Sequence, residues 1–204
     1  MSTSSTSTAR ERAAEGGAVR APRSPDDREL AARIGEGDPD AVSTAYRAHH
    51  AALRRFALRL VGDPDVAEDL VHDVFVGLPR TIRGYRGDSA LSSFLFGVAV
   101  NHARHHMRSS QRRRAAGERM AREPEPTNEC PEHEVTRRQL AAALARAMDS
   151  LSFDHRTAFV LCEVEGQSSI EAGALLGIPE GTVRTRLFHA RRLLREALAK
   201  EGVR

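Results

Sequence analysis

Ser168-Ser169-Ile170-Glu171-Ala172-Gly173-Ala174-Leu175-Leu176-Gly177-Ile178-Pro179-Glu180-Gly181-Thr182-Val183-Arg184-Thr185-Arg186-Leu187 reads as two helices joined by a tight turn. Ser168 and Glu171 have capping-box spacing, Gly177 suits a left-handed stop after Leu176, and Pro179 restarts the chain where no amide donor is needed. In the second helix Val183, Leu187, Ala190 and Leu194 recur on one face and are expected to pack inward. Thr182, Arg184, Thr185, Arg186, Phe188, His189 and Arg192 are left outside. That is the side-chain set of a helix-turn-helix recognition helix in a DNA major groove.

The chain has 204 residues, enough for one medium domain or two small ones, and no Trp, so cores must come from Leu, Val, Ala and a few Phe. Thirty-one Lys and Arg against 28 Asp and Glu leave a net charge of only +3, and acidic and basic residues segregate along the chain. Cys130 and Cys162 lie far apart in sequence, which disfavours a disulfide framework and fits a reducing compartment. Residues 1–28 are rich in Ser, Thr, Arg and Gly, without the apolar segment of a signal peptide, and are expected to be a disordered tail. Apolar runs such as 94–100 are too short for membrane insertion. A cytoplasmic protein is expected.

Gly37-Asp38-Pro39 and Gly62-Asp63-Pro64 repeat one device: a glycine stop, an aspartate cap and a proline in the first turn. The helix after the first carries Val42, Ala45, Tyr46, His49, Leu53, Phe56, Ala57 and Leu60 at helical spacing. The helix after the second has Val66, Leu70, Val71, Val74, Phe75 and Leu78 on one side and an acidic face opposite. Arg83 to Ser89 reads as an exposed loop. A further helix from Leu91 turns basic towards Arg114. Residues 115–135, broken by Pro124, Pro126 and Pro131, read as a flexible linker. Leu140 to Met148, Asp154 to Val164, Ile170 to Leu176 and Glu180 to Ala199 complete the helices. The fold class is all-α, with two small helical domains over 29–114 and 136–204.

Gly37-Asp38-Pro39 through His49, Gly62-Asp63-Pro64-Asp65-Val66-Ala67-Glu68-Asp69-Leu70-Val71-His72-Asp73-Val74-Phe75 and Tyr85-Arg86-Gly87-Asp88-Ser89 together resemble the second domain of bacterial sigma factors. The carboxyl half resembles their fourth. Over roughly Glu29 to Lys200 the chain is similar to the extracytoplasmic function family of alternative sigma factors. The resemblance implies a non-enzymatic initiation factor that binds core RNA polymerase, through the β′ clamp helices and the β flap, and directs it to promoter DNA. It implies polymerase docking by Asp65, Glu68, Asp69 and Asp73. It assigns −10 recognition and melting to Tyr85, Arg86, Asp88, Ser89, Asn101, Arg104, His105 and Arg108. It assigns −35 recognition to Thr182, Arg184, Thr185, Arg186, His189 and Arg192, and it implies an anti-sigma antagonist. The sequence departs from the family pattern at His72-Asp73, at Phe94, at Ser152 in place of proline, and at Gly173, which costs about 1 kcal/mol of helix propensity relative to Ala.

Two other readings compete. A helix-turn-helix activator binding duplex operators would need no acidic docking helix, and a nucleic-acid enzyme would need a nucleophile or metal constellation that the sequence lacks. His102, His105 and His106 share a helical register, and Cys130 with His133 makes a short Cys-x-x-His pair, but neither completes a ligand set. No metal or cofactor is expected.

Overall fold

The computed structural model describes residues 25–115 and 142–200. Among them every regular element is helical. Helix α1 spans Pro25–Gly35, α2 Pro39–Val61 and α3 Pro64–Thr81, which passes through a 3-10 turn, Ile82–Gly84, and a loop into α4, Leu91–Ala115. After the interval, residues 142–149 form α5. Helix α6 covers Phe153–Phe159 and widens into a π turn over Val160–Val164; α7 is Ser169–Leu176 and α8 is Glu180–Lys200.

The caps form as the residues dictate. Asp38 accepts from the amides of Asp40 and Ala41, and Asp63 from those of Asp65 and Val66. Gly62 closes α2 in the left-handed region at φ 75°. Ser168 and Glu171 exchange both bonds of the capping box, and Gly177 ends α7 at φ 64°. Ser152, where the family pattern has proline, caps α6 by accepting from the His155 amide.

Two sequence expectations need correction. The amino-terminal helix begins at Pro25, inside the stretch read as tail: proline in the first turn with Asp26 and Asp27 beside it is a favourable helix start, and Ala31 and Ile34 anchor the helix by burial. Residues 1–24 and the linker stretch 116–135 lie outside the described residues. The segment read as an exposed loop, Arg83 to Ser89, is also only partly exposed, because Gly87 is buried and Tyr85 and Ser89 are half-buried.

The domains pack against each other. Ala158, Val160, Leu161, Ala172 and Val183 join the buried cluster that Leu53, Phe56, Leu60, Leu95 and Ala99 build in the first domain, while Ala147, Leu151, Ala190 and Leu194 form a smaller second cluster. At the crossing of α4 and α7 the side chain of Leu175 lies against Gly97, where a Cβ would stand 3.4 Å from both Leu175 Cδ2 and its carbonyl. Arg156, nearly fully buried, donates from Nη1 to the Leu60 carbonyl at 3.0 Å, at the electronegative end of α2. Gln167 Nε2 donates to Ser93 Oγ at 3.1 Å, and Arg59 pairs with Glu165 at 3.3 Å.

Candidate functional site

Three surfaces carry the candidate residues. On α3, Asp65, Glu68, Asp69 and Asp73 all lie on the exposed face, opposite buried Leu70, Val71, Val74 and Leu78. Glu68 is held by α2: Arg54 Nε donates to it at 2.7 Å and His50 Nε2 stands 3.0 Å away. The His50 and Arg54 contacts hold the Glu68 carboxyl below the usual carboxylate range. Asp69 and Asp73 instead border a polar groove whose far wall is His102, His105 and His106 of α4. Among the described residues no three His, Cys, Asp or Glu side chains gather as a metal site would require. Cys130 and His133 fall outside the described residues.

The second surface is the loop between the 3-10 turn and α4. Its backbone is fastened at alternate residues. Tyr85 packs edge-on against Phe94, with ring centroids 5.4 Å apart, and its hydroxyl donates to the Ser89 carbonyl at 2.7 Å. Gly87 takes φ 73° and its carbonyl accepts from Arg28 Nη2 at 3.3 Å. The Leu91 amide donates to Asp27 Oδ2 at 2.9 Å. Arg86 and Asp88, the residues between these ties, are exposed. Tyr85 is half-buried in these contacts, which brace the loop from within. Asn101, Arg104, His105 and Arg108 follow on one face of α4, with Asn101, His105 and Arg108 exposed.

The third surface is α8. Val183, Leu187, Ala190 and Leu194 are buried as expected, and Arg184, Thr185, Phe188 and Arg192 are exposed. Arg184 pairs with Glu180 one turn back at 3.0 Å, and Thr185 Oγ1 donates to the Gly181 carbonyl at 2.9 Å. Thr182 and His189 are half-buried, with the His189 ring beside Phe188 and His155. Arg186 is not free: its guanidinium lies 2.7 Å from Asp154 Oδ2, and Arg104 of the first domain stands 3.6 Å from the other oxygen of that carboxylate. The structure therefore joins a residue assigned to the −10 surface and one assigned to the −35 surface. Asp27, Arg28 and Asp154 are the residues that sequence reading missed. Pro25-Asp26-Asp27 is a helix-start signal that would have exposed the first two; nothing in the sequence points to Asp154.

The turn between α7 and α8 sets the direction of the recognition helix. The Ile178 amide donates to the Gly173 carbonyl at 3.0 Å, and a Cβ on Gly173 would stand 2.9 Å from the Ile178 carbonyl. Glycine is required there by the fold-back of the turn.

Residues 45–113 match the family model of sigma-70 region 2, and residues 141–194 match that of sigma-70 region 4. The chain is 31% identical over 173 residues to the ECF RNA polymerase sigma-E factor of Escherichia coli, covering 81% of this chain and 90% of that one. The chain belongs to the extracytoplasmic function family of sigma-70 factors. Such a factor directs RNA polymerase to promoters, which separates it from a stand-alone operator-binding activator. The RNA polymerase sigma-H factor of Pseudomonas aeruginosa is 29% identical over 180 residues, covering 84% of this chain and 93% of that one. Among solved structures, the sigma factor RpoE of Bartonella quintana, in complex with the anti-sigma factor NepR, aligns with a TM-score of 0.60 at 27% identity, over 77% of this chain and 96% of that one.

Proposed function

We propose that this sigma factor docks on core RNA polymerase through the acidic face of α3, holds melted −10 DNA with the 85–91 loop and α4, and grips the −35 element with α8. The observation that carries the reading is the coexistence, on one helical chain, of an exposed carboxylate row at Asp65, Asp69 and Asp73 with two separate basic surfaces, on α4 and on α8. A charged row on a rigid helix steers association and fixes register on a complementary partner. Asp69 and Asp73 would meet the β′ clamp helices. The second domain would contact the β flap.

On promoter DNA, Arg184 is suited to a guanine edge, Thr185 and Thr182 to backbone oxygens or a thymine methyl, and Arg192 to phosphate. Opening the −10 region requires unstacking, which Arg86, Asp88 and Ser89 offset by contacts available only to the extruded strand. The chemistry of RNA synthesis belongs to the polymerase. An anti-sigma factor is the expected antagonist, in keeping with the complex of the Bartonella relative. No helix among the described residues is long and apolar enough to cross a membrane, which accords with action in the cytoplasm.

The test is transcription from fragmented genomic DNA by core polymerase with the full chain as the sole added factor, followed by sequencing of transcript 5′ ends. Discrete starts sharing two upstream elements are expected. Starts indistinguishable from those of core polymerase alone would rule the reading out.

A further inference from the structure

The Tyr85 hydroxyl ties the 85–91 loop to its own Ser89 carbonyl, but the helix that follows has no local side-chain cap. Helix α4 starts after Ala90, which has no side-chain oxygen to cap it, and Asp88 and Ser89, the residues suited to that task, stand too early in the chain. The capping oxygen comes from 64 residues away: Asp27 Oδ2 accepts from the Leu91 amide at 2.9 Å. The next residue of the same helix reaches the middle of the loop, where Arg28 Nη2 donates to the Gly87 carbonyl. At Gly87 a Cβ would fall 2.3 Å from Arg28 Nε and 3.0 Å from its Cγ, so the arginine side chain lies across the bare face of the glycine. The base of α1 is fixed, with Ile34 fully buried and Ala31 nearly so.

We infer that Asp27 and Arg28 are positioning residues for the −10 loop, fixing its backbone at Leu91 and Gly87 so that Arg86 and Asp88 face the melted strand in one register. This rests on the loop's proposed role in promoter opening. Neither residue needs to touch DNA. The ties bracket the exposed residues: the chain is held to protein at residues 85, 87, 89 and 91, turns through the left-handed Gly87, and leaves Arg86 and Asp88 between the ties exposed. Without the two ties the loop must be ordered at the moment the strand is captured, and the lost backbone freedom is charged against opening. A loop already ordered discriminates better, because an incorrect base cannot be accommodated by movement of the backbone.

The experiment uses the full chain with core polymerase on a promoter recovered from the transcription assay, with 2-aminopurine in the −10 element to report unstacking. Asp27→Ala is expected to slow opening about tenfold, whereas Asp27→Asn, which keeps a capping oxygen, stays within about threefold of the parent. Arg28→Ala, a change at an exposed residue that leaves the core intact, is expected to narrow the difference in opening rate between the parent promoter and single-base −10 variants. Binding of core polymerase and of −35 duplex is expected to be unchanged in all three. Equal opening by Asp27→Ala and the parent, with unaltered discrimination in Arg28→Ala, would overturn the inference. So would parallel losses of opening, −35 binding and thermal stability that Asp27→Asn fails to rescue. If the parent opens no promoter at all, the functional reading fails, a result distinct from either of these.

Discussion

Arg104 on α4 and Arg186 on α8 meet on one carboxylate, 3.6 Å and 2.7 Å from the two oxygens of Asp154. Their assigned promoter elements lie roughly 25 base pairs apart, about 85 Å at ~3.4 Å per base pair. The two arginines cannot occupy both elements while sharing Asp154. On the proposed assignments the packed arrangement and the promoter-bound one are different states, and promoter binding requires the domains to part.

A disulfide across the domain crossing tests this. A Cβ on Gly97 would lie 3.9 Å from Leu175 Cβ, inside the disulfide range of about 3.5–4.5 Å. With Cys130→Ser and Cys162→Ser removing the native thiols, oxidised Gly97→Cys/Leu175→Cys protein is expected to lose promoter-specific initiation and to regain it on reduction. Initiation by the oxidised form would contradict the requirement for opening.

Asp154→Ala is expected to raise the affinity of the free chain for −35 duplex, because it releases Arg186. Partly exposed ion pairs are each worth about 0.2–1 kcal/mol, which bounds the gain at roughly thirtyfold for the two together. Titration of labelled duplex without polymerase measures it, and an unchanged affinity would show that Asp154 does not restrain the helix.

Arg156 ties the domains more strongly. Its Nη1 caps the α2 carbonyl of Leu60, while its Nε is buried without a hydrogen-bond partner among the described residues. Burial pulls its pKa below the ordinary guanidinium value, partly offset by Asp149. Arg156→Ala is expected to destabilise the chain by about 2–3 kcal/mol in urea unfolding, through the lost charge-assisted bond and the packing of the side-chain stem. A loss below about 0.5 kcal/mol would mean the contact is incidental.

Acid should act in two windows. Burial lowers the His49 pKa, against a smaller opposing influence of Asp27. The unfolded chain therefore binds the proton first, and stability is expected to fall as pH drops below about 6.5. His49→Gln should flatten that slope. Glu68, with its pKa depressed by His50 and Arg54, contributes stability at neutral pH that is lost only as pH falls through the carboxylate range. Glu165 has the opposite sign: burial outweighs Arg59 and raises its pKa, so Glu165→Gln is expected to preserve or strengthen domain packing at pH 7. Thermal melts of the parent and the two variants from pH 4 to 8 separate the contributions.

The helices were legible because their signals are local. Asp38, Asp63, Ser168, Gly62 and Gly177 each act within a few residues, and all take the expected cap geometry. The buried stripe of α8 followed from its period alone. What escaped depends on distant parts of the chain: Asp27 capping α4, Arg28 lying over Gly87, and Asp154 gathering arginines from both domains. Gly173 lies between these cases. Its propensity penalty was visible in the sequence, while its reason, the approach of the Ile178 carbonyl, needed the three-dimensional turn.

Association with core polymerase at low ionic strength bears most directly on the account, since everything else depends on a polymerase anchor sharing a chain with DNA-reading surfaces. The parent chain is expected to co-migrate with the enzyme in size-exclusion chromatography. Asp69→Lys/Asp73→Lys is expected to elute separately while still binding −35 duplex as the parent does. Failure of the parent to co-migrate, or equal co-migration of the charge-reversed chain, would contradict the placement of the anchor on α3.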